Sequence, residues 1–377
     1  MKTNIIVNLQ HEAVHQWTDC DLEEVLFLKF PHRHIFHICM KKEVTHDDRD
    51  IEIIMLKRQA NQFLEDTYPK TFGDMSCEMI AKELLTVFEL DVIVGNQEVQ
   101  EIKEGEFLDV IGTNQFKLEQ GLELIKLIKD GKITEDDTIF FLDLWNPIVT
   151  NIAYIRDCMD LKFKIAGMLH AGCWDKYDFL AQKELTRWAK GVEFAMIECV
   201  DTVMVATEFH KNLIHDYFGV TWDKIKVEKF PVFTDNHKPQ SKENIVVFPH
   251  RLATEKQPYL FDKLIKDYKE KYPDDKIEWI KTKDVWTNKE EYYKLLSKAK
   301  VSVSFALQET FGIAMLESLN LGCIPFAPNR LSYRETLPDN LFDNMEELID
   351  KVHNAIHNYK KPKPYKVKNF DNILKVL

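Results

Sequence analysis

Short runs of β-branched and aromatic residues alternate with amphipathic stretches along most of this chain. That alternation predicts strands joined by helices. Asn4 to Leu9 (NIIVNL), His34 to Met40 and Ile51 to Leu56 read as three short strands. Ser76 to Leu90 has helical spacing behind a serine cap, and the run DVIVGNQ after it reads as a strand. Asn114 to Gly131 is a long amphipathic helix closed by glycine, and Thr138 to Pro147 is a buried strand closed by proline. A strand beginning at Lys164 ends in His170-Ala171-Gly172, and Trp188 to Ile214 holds a helix, the strand TVMVAT and a helix capped by Thr207. The polar, proline-bearing run Thr234 to Asn244 has no apolar period and reads as a linker. Beyond it the pattern restarts, with a strand-then-helix stretch from Asn244 to Tyr268, strands at 276–281, 301–304 and 323–327, a helix from Ile313 to Leu321 and another from Asn344 to Tyr359. A basic connector, KKPKPYKVK, leads to a short final helix. This order of elements predicts an α/β protein with parallel sheets, built as two Rossmann-like domains over residues 1–233 and 244–367.

Open parallel sheets take ligands at the carboxyl ends of their strands, where helix N-termini present unpaired N–H groups to an anion. The stretch FALQETFGIAMLESLNLGCIPFA builds such an end, as strand, polar turn, helix and strand. Glu309 lies in its turn, Gly312 and Ile313 open its helix, and Glu317 projects further along. A carboxylate in that place suits the hydroxyl donors of a sugar. Asp143 and Trp145 fall at a strand's carboxyl end, where an acid and an aromatic ring can orient a sugar or stack a base. His170 ends another strand, Gly172 allows close approach of the backbone to a ligand, and Trp174 and Asp175 follow in a loop suited to an acceptor.

One motif needs weighing. His11, Glu12 and His15 (HEAVH) match a zinc-peptidase pattern that requires a long helix to bring both imidazoles to one face. Here the motif follows a strand by one residue and runs into the polar stretch QWTDCDLEE. The expectation is therefore a loop of the first domain, with His11 and His15 as acceptor candidates and no metal. Asp19 to Asp21 and Asp48 to Asp50 spell short DxD patterns that read as solvated loop acids. His32, Arg33 and His34 form a basic cluster that reads either as an acceptor contact or as a solvated strand entry.

With 377 residues and 45% hydrophobic content, the chain has material for two cores. No run nears the ~18 to 20 apolar residues of a membrane span, and the N-terminus lacks a signal-peptide block, so a cytoplasmic protein without membrane contact is expected. Seven scattered cysteines without a CxxC pair fit reduced thiols. The net charge of −12 argues against broad affinity for polyanions, although a local basic cleft can still accept nucleic acid.

Glu309 and Glu317, with Phe311-Gly312 between them and Gly322-Cys323-Ile324-Pro325 after, resemble the donor signature of retaining GT-B glycosyltransferases. The run through Asn329, Tyr333, Arg334 and Glu335 resembles the branch with queuosine-tRNA mannosyltransferases and phage nucleic-acid glycosyltransferases. The resemblance implies a GT-B fold of two Rossmann-like domains facing across a cleft, with the final helix, 368–377, packed back on the first domain. It also implies that Arg251 and Lys256 clamp the donor diphosphate, that the backbone at Gly312 and Ile313 meets it, that Glu317 holds the ribose, and that Glu309 and His170 reach the sugar. The departure is Pro249-His250, where many members of that family carry a glycine. The implied substrate is a nucleotide-sugar, UDP-linked, with no cofactor, and the implied acceptor is a hydroxymethylated pyrimidine in DNA, in a host cytoplasm if the chain is phage-encoded. Glycan, lipid-linked and tRNA acceptors, and a catalytically silent sugar-nucleotide binding protein, are the alternatives.

Overall fold

The computed structural model describes residues 3–15, 32–44, 93, 110–234, 237–282 and 289–366, the first two segments as backbone alone. By its internal contacts the chain forms two compact units, Met1–Gly73 with Ile93–Gln120, and Asp74–Val92 with Gly121–Leu377. The expected elements at 51–56, 76–90, 91–97 and 368–377 and the two DxD runs lie outside the described residues, apart from Ile93.

In the first unit, β1 (Thr3–His15) and β2 (His32–Val44) pair antiparallel in an unbroken register from Thr3 opposite Val44 to His15 opposite His32. This corrects two expectations. The first strand does not open a parallel sheet, and His11, Glu12 and His15 lie within a 13-residue strand rather than in a loop. An HExxH zinc site needs the 3.6-residue helical period, which an extended backbone does not supply.

The second unit carries two parallel sheets, the α/β class that the alternation predicts. In the first sheet, β3 (Thr138–Phe141), β4 (Lys164–Met168), β5 (Thr202–Val205) and β6 (Ile225–Val227) lie side by side in chain order. β3 is shorter than the expected 138–147. Past Phe141 the Asp143 carboxylate accepts from the Trp145 N–H at 3.0 Å, and this side-chain turn ends the ladder. The second sheet comprises β7 (Glu243–Phe248), β8 (Glu278–Lys281), β9 (Ala299–Val303), β10 (Ile324–Pro328) and β11 (Leu341–Phe342). Its spatial order is β11-β10-β9-β7-β8, so the chain leaves β7 to one side and returns to the other.

Both faces of this second sheet are covered, as a parallel sheet requires. Val246 and Phe248 of β7 pack with Phe261, Leu264 and Val352, while Ile245 and Val247 pack with Tyr292, Tyr293 and Leu296. A third cluster joins the halves of the unit. Met168, Met204, Ala206 and Phe230 from the first half bury against Ala306, Phe311, Met315 and Tyr333 from the second, and the Phe230 and Phe311 rings meet edge to face at 5.2 Å.

Two histidines are fully inside. His210 is 0% exposed, and neither of its ring nitrogens has a partner among the described residues. Burial pulls its pKa down to about 3, and His250 is likewise held well below the ordinary 6.5 by burial, then by the Lys256 and Arg251 charges. Both are neutral when folded and take up protons near 6.5 when unfolded. The unfolded chain therefore binds more protons below that pH, and stability falls as pH drops through 6.5. Burial raises the carboxyls of Asp175, Asp178 and Glu193, which opposes the trend at lower pH. The expected outcome is a loss of about 1.4 kcal/mol per histidine per pH unit between roughly pH 6.5 and 5. Thermal melts across that window check it, and His210→Leu should remove about half of the slope.

Candidate functional site

β7 and β9 are neighbours whose connections leave on opposite sides of the sheet, so a crevice opens at their carboxyl ends. The two loops there carry most of the second-half candidates. From β7 come His250, Arg251, Glu255 and Lys256, the last two in a short 3₁₀ turn, Thr254–Lys256. From β9 come Ser304, Gln308 and Glu309.

A buried hydrogen-bond chain ties the strand ends together. The His250 Nε2 lies 2.8 Å from the Ser304 hydroxyl, which lies 2.7 Å from the Tyr333 hydroxyl and accepts from the Ala306 N–H at 3.2 Å. The His250 ring is thus folded inward and joins the end of β7 to the end of β9.

Beyond that chain sit the charges. The Lys256 ammonium is 3.2 Å from Glu309 Oε2 and donates to the Gln308 carbonyl at 2.7 Å. The other Glu309 oxygen accepts from the Gly312 N–H at 3.1 Å. Gly312 has φ +91° and precedes the helix Ile313–Asn320, so a side chain there is strained on backbone grounds and would also lie 3.0 Å from the Tyr333 ring. In that helix's first turn the Met315 N–H bonds the Gly312 carbonyl at 3.0 Å, while the N–H groups of Ile313 and Ala314 have no intrahelical acceptor. One cation, one carboxylate and one helix N-terminus therefore converge. Arg251 stands four residues before Glu255 and bonds its carboxylate at 2.5 and 3.1 Å, with Glu255 buried.

The first half reaches the same loop. Thr310 donates to the His170 carbonyl at 3.0 Å and accepts, through its own carbonyl, from the Thr207 hydroxyl at 2.8 Å. Gln308 donates to Asp178 at 3.4 Å. Asp178 and Asp175 sit where the Arg251 and Lys256 charges act on them, yet burial is the larger influence and raises both carboxyls. The His170 ring bonds the Leu142 carbonyl at 2.7 Å and packs edge-on to Phe230. His170, Asp175, Lys256, Glu309 and Gly312 are therefore gathered around loop 308–312.

Several expected ligand contacts are turned elsewhere. Trp174 is only 8% exposed, packed on His210 and Phe218. Gly172 makes room for that indole, which a Cβ would meet at 2.1 Å, rather than for a ligand. Trp145 donates its indole N–H at 2.9 Å to buried Glu193, which also takes the Cys173 N–H at 3.0 and 3.1 Å. Asp143 closes the local turn with Trp145. His11 and His15 belong to the hairpin of the other unit.

Glu317 is 1% exposed and saturated from inside the half. It receives the Lys289 ammonium at 2.7 Å and the Tyr293 and Tyr292 hydroxyls at 2.8 and 3.1 Å. Sequence reasoning missed these partners, and also Gln308, Thr310 and Arg330. The Arg330 guanidinium holds the Phe305 and Ala306 carbonyls at 2.8 and 3.1 Å, at the root of the loop. Only Arg330's place after a buried strand could have signalled it.

No family model matches the chain. Over 163 residues it is 29% identical to a tRNA-queuosine alpha-mannosyltransferase of Drosophila melanogaster, a match spanning 36% of this chain and only 43% of that relative. Among solved structures it is similar to TarM, at 18% identity and TM-score 0.46 over 64% of this chain and 51% of that one. It is also similar to the lipopolysaccharide outer core galactosyltransferase WaaB, at 15% identity and TM-score 0.47 over 69% and 79% of the two chains. The corresponding values for sucrose-phosphate synthase of Thermosynechococcus elongatus are 13% and 0.46, over 72% and 77%. None of the three reaches a TM-score of 0.5.

The Glu317 cluster generates a stability test. Removing one partner of a buried ion pair leaves the other uncompensated, so Glu317→Ala should cost about 3 kcal/mol or more. Denaturant unfolding measures this. An unchanged midpoint would mean that the lysine and tyrosines do not depend on the carboxylate.

Proposed function

We propose that this chain is a retaining glycosyltransferase that uses a nucleotide-sugar donor, UDP-linked. The observation that carries the proposal is the Lys256–Glu309 pair at the left-handed Gly312, on the crevice between β7 and β9. A diphosphate matches a fixed ammonium beside a helix N-terminus, and a sugar's hydroxyls match the carboxylate next to it. Lys256 and Arg251 hold the diphosphate, with the Gly312 and Ile313 backbone against it. Arg251 turns from Glu255 to do so. Glu309 and the His170 strand end hold the sugar, and Glu317 takes a ribose hydroxyl at Oε1 in place of the Lys289 ammonium, beside the Tyr293 hydroxyl that stays bonded there.

In the reaction the bond from the anomeric carbon to the diphosphate oxygen breaks, and a bond to the acceptor oxygen forms on the same face. The acceptor proton passes to the departing phosphate oxygen. Lys256 stabilises the charge that accumulates there, which is the role preorganised cations play in group transfer. The acceptor is a hydroxymethylated pyrimidine of DNA, reached single-stranded or flipped from the duplex. A second reading, a modified nucleoside of tRNA, is favoured by the identity with the queuosine mannosyltransferase.

The test is turnover of a panel of nucleotide sugars in EDTA, with hydroxymethylated DNA, with tRNA, or with neither. Release of nucleoside diphosphate that depends on DNA, with a matching mass gain on the DNA, is the expected result. A mass gain on tRNA alone moves the acceptor to the second reading, and donor binding without turnover in any arm means a silent binding protein. Lys256→Met should lower kcat about 100-fold while the fold stays intact by thermal melt. Wild-type kcat in that variant would sink the assignment.

A further inference from the structure

At the opposite end of the second sheet, the structure assigns a transition-metal site to Asp275, His353 and His357. Their ligand atoms lie within 4.8 Å of one another. His353 and His357 stand four residues apart on the helix Met345–His357, which puts both on one face, and Asp275 comes from the turn before β8. The Asp275 carboxylate is 3.0 Å from His353 Nδ1 and from His357 Nε2. Tetrahedral bonds of ~2.0–2.1 Å need ligand atoms about 3.3 Å apart. Small outward shifts would therefore admit an ion.

The surroundings hold the ligands as a metal site requires. Buried Tyr268 donates its hydroxyl at 2.6 Å to Asp275 Oδ2, the oxygen that both imidazoles face, and the same hydroxyl lies 3.1 Å from His353 Nδ1, so it fixes both groups in place. Tyr272 stacks flat on the His353 ring, with centroids 3.8 Å apart and planes 10° apart. The exposures run from 16% at Asp275 through 33% at His353 to 46% at His357, which leaves an entry path and a fourth position for water. Two neutral imidazoles and one carboxylate suit zinc and its first-row neighbours.

The site is separate from the crevice. Lys300, at the start of β9, bonds both the Ile356 carbonyl and the Asn244 side chain at the start of β7. The helix end that carries His357 therefore lies at the amino edge of the sheet. An ion there pins the helix Met345–His357 to the turn before β8, and its role is structural.

The experiment uses the full chain stripped with EDTA, titrated with Zn²⁺ by calorimetry and with Co²⁺ as a visible-absorption probe. One ion per chain should bind, with a rise of a few degrees in melting temperature at saturating Zn²⁺. The double variant His353→Ala/His357→Ala should lose that site, and Tyr268→Phe should weaken it about tenfold. His11→Ala/His15→Ala should leave it unchanged. Melts in EDTA establish that each variant is folded. The assignment is overturned if no ion binds, if the bound ion survives the double variant, or if it is lost when His11 and His15 are replaced.

Discussion

Parallel strands that send their connections to opposite sides of a sheet leave backbone and side-chain groups at their carboxyl ends to find partners elsewhere. In this chain the need is met between β7 and β9 by His250, Ser304 and Tyr333, linked at 2.8 and 2.7 Å and all buried. Burial keeps the His250 imidazole neutral there. With the strand ends fixed, the two loops leave the sheet at defined places. Lys256 then meets Glu309, and Glu309 meets the amide of Gly312. Such links net only about 1 kcal/mol each. Their importance lies in direction, because they aim a charge and a helix start at one point.

The loop between β9 and its helix is shared property. Its backbone is bonded by Thr207 and its Thr310 hydroxyl by the His170 carbonyl, while Arg330 holds its root. On the far side of the same seam, the Glu335 carboxylate accepts the Glu208 and Phe209 N–H groups at 2.9 and 2.6 Å, a carboxylate at a helix N-terminus supplied by the other half. Site geometry thus depends on both halves at once.

Local signals carried much of this and long-range ones did not. The alternation from Thr138 onward specified parallel strands, and the glycine before an apolar helix marked the loop at Glu309. The N-terminal stretch misled because an apolar strand does not name its partner, and β1 found an antiparallel one. Trp174 and Trp145 read as acceptor contacts because their cover, His210, Phe218 and Glu193, arrives from later elements. Glu317 was legible as a helix acid, but its lysine and two tyrosines lie 24 to 28 residues earlier. His250 stood out beside Pro249, and sequence offered no sign that its ring would bridge two strands.

The cluster of Met168, Met204, Ala206 and Phe230 against Ala306, Phe311, Met315 and Tyr333 sets the mechanical character of the second unit. Halves that meet through polar, hydrated surfaces can swing apart as rigid bodies. These meet through the kind of apolar core found inside a single domain, with the hydrogen bonds of loop 308–310 around it. Separating them exposes that core, which makes the separated halves a high-energy species and couples the melting of one sheet to the other. The two sheets consequently behave as one cooperative folding block.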